Sequence, residues 1–483
     1  MISSKEYMEG LVAKARVAQK LVEEYNQNQV DELCEAVSYA CIDEKFRRKA
    51  AKLLMQEAGM GNEEDKFEKI RNKSMSVYHE MKGEKSVGII AEDKEKQLVT
   101  YIKPMGVVGA IIPVTNGEST PVVKTLWALK SRNALILSPH RKAKKTARFI
   151  VSYIQNVLVK MGAPKDLIQC IEEEYCGRET AAEMMRQCDF VVATGGSGLV
   201  KAAYSSGTPA IGVGAGNATV YIDTSADISD LTKKLRISQS FDNSSSCSSE
   251  NNLICHESVY ERFLLEASKA GAYVIRNHSR EKEQLVKTLW PEWPENDTIS
   301  RNTPAQSAVE IARLAGIKVP ENTVYILLEE DGYGEKYVTT GEKLCPVVTL
   351  LKASDFSDAL KKMEAILDYQ GKGHSCGIFT ENEEQIQQLA QKMKVARILV
   401  NQAQSMGNAG AYFNGMASTN SLGCGTWGGN SSCKNITWRD LTNTTTVSRF
   451  LPDAKPLQEE EVYSDKIRKY NFSDAVAQAL PEN

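Results

Sequence analysis

Between about residues 100 and 400 this 483-residue chain alternates short β-branched, apolar runs with longer amphipathic stretches. The short runs fall at 107–112, 134–137, 190–193, 219–222, 324–328, 347–351, 376–379 and 398–400, and helical segments such as 142–161 and 354–367 lie between some of them. A strand covered on both faces reads as a continuous apolar run, and a helical connection returns the chain to lay the next strand parallel. The pattern therefore predicts an α/β protein with mostly parallel sheets, whose ligands sit at the carboxyl ends of the strands. The first 80 or so residues read instead as helices. Ser3 and Glu6 form a capping box, and Met8, Leu11, Ala15, Ala18 and Val22 recur at helical spacing. A second helical stretch, 45–58, stops at Gly59-Met60-Gly61. Segments 88–102 and 435–450 look like strands outside this alternation, and the Pro/Glu-rich tail after residue 451 reads as a surface arm.

Composition narrows the class of partner. With 42% hydrophobic residues, 25% charged residues, a net charge of -3 and a pI near 6.1, the chain has the balance of a globular protein. It lacks the basic surplus that nucleic acid or an anionic membrane attracts. No apolar run approaches the roughly 20 residues of a membrane span. The N-terminus lacks the apolar core of a secretion signal, so a cytoplasmic location is expected. Eleven scattered cysteines without a CxxC pair argue against a disulfide framework and against a metal site. Most of them should be small buried apolar residues, so the question is whether one is reactive.

Three segments could carry chemistry. PMGVVGAIIPVTNGEST (104–120) is a buried strand running into a polar turn with Asn116. FVVATGGSG (190–198) brings a strand through glycines into a helix, where backbone N–H groups can hold phosphate. SQSFDNSSSCSSENNLIC (238–255) sets Cys247 among serines and asparagines, a polar setting in which a thiol can ionise, whereas Cys255 lies in an apolar run. Singly, each has an ordinary structural explanation: a strand-end Asn turn, a tight packing turn, a surface-loop cysteine.

Taken in this order, the three segments resemble the aldehyde dehydrogenase superfamily, and specifically its CoA-acylating branch, over roughly residues 5–450. The resemblance implies a Rossmann-type cofactor domain, an α/β catalytic domain and a small β oligomerisation arm. The divisions would be 1–235 (with 83–103 in the arm), 236–430, and 431–483 for the return strand, arm and tail. It makes Cys247 the nucleophile and Asn116 the oxyanion donor. NAD or NADP would lie on Pro113, Thr115, Ser138, His140, Arg141, Thr194, Gly195, Gly196, Ser197 and Gly214. GEKLCPVVTL (341–350) looks like the segment whose glutamate, here Glu342, holds the nicotinamide ribose. GKGHSCGIFT (371–380) and NSLGCGTWGGN (420–430) look like segments of the acylating branch. His374, in the first of these, reads as a strand-entry histidine, with a supporting or proton-relay role as the alternative.

Two departures from the hydrolytic members are informative. Their general-base glutamate would align with Val213, and no carboxylate lies between Gly212 and Asn217. Water then lacks a base to activate it, whereas CoA brings a thiolate that needs less help. In LILSPHRKAKK (135–145), Ser138 and Arg141 replace the lysine and glutamate that hold the adenosine ribose, which admits NADP as well as NAD. The expected reaction joins an aldehyde to coenzyme A through a Cys247 thioacyl-enzyme. The serines around Cys247, Ser246 and Ser248 in particular, suggest a polar or anionic aldehyde. SCSSEN resembles the acylating sulfoacetaldehyde dehydrogenases, with acetaldehyde or succinate semialdehyde as alternatives. No basic residue lies between Arg236 and His256, so neutral donors are expected to meet the anion. The two strand segments outside the alternation predict a homodimer or larger homo-oligomer, since exposed sheet edges seek partners.

Overall fold

The computed structural model describes residues 2–472 and Ala475. Its strands, in chain order, are β1 (Gly88–Asp93), β2 (Leu98–Pro104), β3 (Val107–Ile112), β4 (Ala134–Pro139) and β5 (Ile168–Cys170). They continue with β6 (Phe190–Thr194), β7 (Ala210–Val213), β8 (Ala218–Ile222), β9 (Glu250–His256) and β10 (Ala272–Ile275). The last five are β11 (Tyr325–Glu329), β12 (Val347–Ala353), β13 (Gly373–Phe379), β14 (Val395–Val400) and β15 (Thr442–Ser448).

The predicted alternation resolves into two parallel sheets. One has the order β5-β4-β3-β6-β7, the other β10-β11-β12-β9-β8-β13-β14. The chain passes from the first to the second between Val213 and Ala218. In the first sheet the order reverses at β3, which has β4 on one side and β6 on the other, and such a switch point leaves a crevice beyond the strand ends. The second sheet is apolar on both faces because alternate residues serve different helix layers. Val220, Ile222, Leu253 and Cys255 pack against Leu231, Leu235, Tyr260 and Phe263. Tyr221 and Ile254 point the other way, onto Met363, Ile366 and Leu389. This two-sided burial is why these strands appear in sequence as unbroken apolar runs.

Helix Ser4–Glu23 begins with both halves of the Ser3/Glu6 capping box and buries Met8, Val12, Ala15, Ala18 and Val22. Helix Glu44–Ala58 ends where Gly59 turns left-handed at φ 62°. The helix that follows, Glu63–Met81, buries two of its lysines, Lys66 and Lys69. Strand β9 escapes the apolar pattern because it opens with Glu250, Asn251 and Asn252. All three are buried, and the Asn252 amide donates to Asn217 Oδ1 at 3.0 Å and Thr340 O at 3.0 Å. Segment 435–450 is strand only in its second half; Ile436, Trp438 and Leu441 are core residues at a 3₁₀ turn, Trp438–Leu441.

Residues 88–102 and the described residues from 444 onward cluster as a separate unit. There β1, β2 and β15 form a three-stranded sheet, with β1 and β2 antiparallel. Ile89, Ile90, Tyr101, Val447 and Phe450 leave much of their surface exposed.

Candidate active site

The loop that presents Cys247 is bent by Asp242, Asn243 and Ser244, whose φ angles are 49, 52 and 55°. Left-handed backbone costs non-glycine residues about 1–2 kcal/mol each, least for Asp and Asn. Side-chain bonds hold it. The Asp242 carboxylate lies 2.9 Å from Lys66 Nζ and 2.7 Å from Lys69 Nζ, all three groups being buried. It also accepts from the Asn62 N–H at 3.0 Å and the Ser245 hydroxyl at 3.0 Å. Burial alone would raise its pKa, but Lys69 and Lys66 outweigh that and hold it below the ordinary range. Gly61 is required here, since a Cβ on it would lie 1.8 Å from Asp242 Oδ1.

The same ammonium group orients Asn116. Lys69 Nζ lies 3.0 Å from Glu118 Oε1 and donates to Asn116 Oδ1 at 3.1 Å. With its oxygen taken, the Asn116 amide has its N–H groups left for the cavity it lines with Cys247.

Cys247 Sγ is 3.4 Å from His374 Nε2. Burial pushes the thiol up to about 12, and the neighbouring Glu342 and Cys424 add to this against the Ser248 hydroxyl and the Arg397 guanidinium. Burial and the Arg397 charge lower His374 to about 3, so its ring is neutral. His374 Nδ1 lies 2.8 Å from Ser375 Oγ, and in the tautomer that donates there Nε2 accepts from the protonated thiol. His374 is thus both the second residue of β13 and a hydrogen-bond partner of the thiol.

Against the other side of Cys247 lies loop 214–217. A Cβ at Gly216 would sit 1.8 Å from the Cys247 carbonyl oxygen, so no side chain fits there. The Gly216 N–H donates instead to Glu342 Oε1 at 3.1 Å. Burial raises Glu342 to about 8, which favours its protonated form at neutral pH.

These groups open into one cavity of about 1890 Å³. It gathers Asn116, Cys247, Glu342, Ser246 and Ser248 with the candidate cofactor residues Pro113, Thr115, Ser138, His140, Arg141, Thr194, Gly195, Gly196 and Gly214. The cofactor set comes from the carboxyl ends of β3, β4 and β6 and the loop after β7, at the switch point. Ser197 opens helix Ser197–Tyr204, and its side chain lies outside the described residues. A Cβ on Gly196 or Gly198 would meet nothing within 4 Å, so the helix N-terminus is open to the cavity, a setting that suits a phosphate. Of Arg141, Lys142, Lys144 and Lys145, only Arg141 lines the cavity; Lys144 faces Glu173 at 3.9 Å.

The model of the aldehyde dehydrogenase family matches residues 2–285. The chain belongs to the aldehyde dehydrogenase family. Among the relatives of this aldehyde dehydrogenase is a sulfoacetaldehyde dehydrogenase of Acholeplasma sp, 43% identical over 95% of this chain and 94% of that one. An acylating sulfoacetaldehyde dehydrogenase of Bilophila wadsworthia strain 3_1_6 is 42% identical over 94% and 97%. The crystal structure of an acetylating aldehyde dehydrogenase from Geobacillus thermoglucosidasius superposes with a TM-score of 0.89 at 33% identity, covering 94% and 98% of the two chains. The predicted aldehyde dehydrogenase-like fold is therefore the observed one.

Not legible in the sequence of this aldehyde dehydrogenase were the buried Lys66–Asp242–Lys69–Glu118 network and Arg178, which lines the cavity as Arg141 does. A signal for the first existed: Lys66, Lys69 and Lys73 recur at i, i+3 and i+7, on one helix face.

Proposed function

We propose that this aldehyde dehydrogenase is CoA-acylating, converting an aldehyde, CoA and NAD(P)+ into an acyl-CoA and NAD(P)H. The observation that carries this reading is the wall of glycine and alanine beside the nucleophile. Val213 stands where a hydrolytic base would be, and Gly216 approaches Cys247 too closely for any side chain. Glu342, the carboxylate that remains, is tied to the Gly216 amide and is a poor base while protonated. Water is therefore not activated, and a thiol acceptor takes the acyl group.

In this mechanism His374 Nε2 accepts the thiol proton as Cys247 Sγ attacks the aldehyde carbon. The Asn116 amide and the Cys247 N–H stabilise the oxyanion. The residues at the ends of β3, β4 and β6 would hold NAD(P)+, which supplies the hydride acceptor when bound. Arg141 and Arg178 both line the cavity and would attract a 2′-phosphate, so NADP as well as NAD is proposed. CoA thiolate then displaces Cys247 from the thioacyl-enzyme.

The substrate we propose is a short anionic aldehyde, sulfoacetaldehyde first, supported by the names of the two relatives and by the polar wall of Ser246 and Ser248. Segments 1–235 and 236–430 are the proposed cofactor and catalytic divisions. The sheet of β1, β2 and β15, with its exposed apolar side chains, is the proposed oligomerisation arm. A panel of aldehydes assayed with and without CoA, following NAD(P)H absorbance, tests the reading. Steady acid formation without CoA overturns the acylating assignment.

A further inference from the structure

We propose that Lys73 is the counter-cation for the substrate's anionic head group, an inference that rests on the acylating reading with an anionic aldehyde. Helix Glu63–Met81 carries three lysines on one face, Lys66 and Lys69 buried and Lys73 half-buried. The first two are committed to carboxylates: Lys66 to Asp242, Lys69 to Asp242 and Glu118. Lys73 is not. Its Nζ donates to the Ala409 carbonyl at 2.8 Å, and among the described residues no carboxylate lies within 4 Å of it. It lines the same cavity as Asn116, Ser246 and Cys247.

Its position follows from the helix. Lys69 Nζ touches Asn116, the group that meets the carbonyl oxygen. Lys73 lies four residues on, just over one turn or about 6 Å along the axis. An aldehyde whose carbonyl sits at Asn116 and whose chain extends along this helix brings its far end to Lys73. The opposite wall is fixed to the same helix: the Ser76 and Ser418 hydroxyls are 2.7 Å apart, and the Ser418 N–H donates to Glu80 Oε1 at 2.6 Å. Burial lowers Lys73 to about 8, with Glu80 opposing and Lys69 adding to it, so the ammonium remains mostly charged at neutral pH. A partly desolvated cation with one carbonyl for company is completed by a sulfonate or carboxylate. The expectation that neutral donors alone would meet the anion considered only the segment around Cys247; the cation enters from a helix some 170 residues earlier.

The test compares the wild type with K73M and K73R on sulfoacetaldehyde, succinate semialdehyde and acetaldehyde, at saturating CoA and NAD(P)+. In K73M the ratio of kcat/KM for an anionic aldehyde to that for acetaldehyde should fall about 10- to 100-fold, as expected for a lost hydrogen bond to a charged group. K73R, which keeps the charge, should restore most of the ratio. Ethanesulfonate, which has the head group and no carbonyl, should compete with the aldehyde, and its inhibition constant should rise by a similar factor in K73M. A wild-type preference for anionic aldehydes that K73M retains overturns the inference alone. A rise in the CoA KM as large as the change in the aldehyde ratio places Lys73 on a CoA phosphate and also overturns it. A wild type with no preference for anionic aldehydes overturns the substrate reading, and the inference with it.

Discussion

Replacing His374 by Gln removes the proposed base 3.4 Å from the proposed nucleophile while keeping a polar side chain in β13. With the thiol pushed up to about 12, only about 3 × 10⁻⁵ of Cys247 would be ionised at pH 7.5 without help. An exposed cysteine of pKa about 8.5 would be roughly one-tenth ionised, so burial costs the nucleophile some three orders of magnitude in thiolate. A positioned base contributes about 10²–10⁴-fold. A ring lowered to about 3 is a weak base, so the expected loss in H374Q is at most about 10²-fold in the single-turnover rate at pH 7.5. Stopped-flow measurement of the NAD(P)H burst, with aldehyde and no CoA, reads that rate without product release. The pH dependence has a definite sign. In H374Q the rate must climb about tenfold per unit between pH 7.5 and 9.5, because hydroxide replaces the missing base below the thiol's own pKa. The wild type should climb less steeply, and it should show no acid limb from His374 in this range, since that ring is lowered to about 3 and stays neutral. A burst within threefold of wild type at pH 7.5, or a deficit equally large at both ends of the range, would refute the assignment.

Four other outcomes are expected. Cys247→Ser should abolish turnover with the circular dichroism spectrum unchanged, whereas Cys255→Ala, deep in β9 and away from the cavity, should keep most activity; equal losses would contradict the choice of nucleophile. Without CoA, NAD(P)H should form once per active site and then stop, and continued formation would point to hydrolysis. Asp242→Asn should destabilise the protein by about 3–5 kcal/mol in urea unfolding, because two buried lysines lose their shared partner. Asp242 is held below its unfolded value, so its stabilisation is present above about pH 4 and lost as pH falls through the folded pKa; a change under 1 kcal/mol would count against the network. Light scattering at micromolar concentration should give at least a dimer mass, and a monomer would leave Ile89, Ile90 and Phe450 of the proposed arm without a role.

What the sequence disclosed depended on how locally each feature is encoded. Strand β3 was legible to the residue, because burial on both faces makes 107–112 uniformly apolar. Strand β9 was hidden, because Glu250, Asn251 and Asn252 bond to backbone and side-chain groups from other parts of the chain. Cys247 and Asn116 were legible as members of motifs. The lysines that hold their loops were not, since Lys69 lies 47 residues from Asn116 and 173 from Asp242. Only folding reveals that a charged helix face is turned inward. The same holds for His374, whose neighbours in β13 are all buried and which therefore looked structural until Cys247 was found beside its ring.

The choice of acyl acceptor and the close packing at the nucleophile have one cause. Loop 214–217 presses on the Cys247 backbone closely enough that Gly216 tolerates no side chain, and its amide holds Glu342. A carboxylate base near the thioacyl group would need room that this contact removes. Restoring one at Val213, which lines the cavity at the edge of the contact, would be the least disruptive way to reintroduce hydrolysis. It would also set a second carboxyl group near Glu342, which burial already raises to about 8, and like charges resist joint ionisation. The pair could carry one charge near neutral pH, and only its second ionisation would need alkaline pH. The close contact at Gly216 and the protonation of Glu342 thus act together against water at this site.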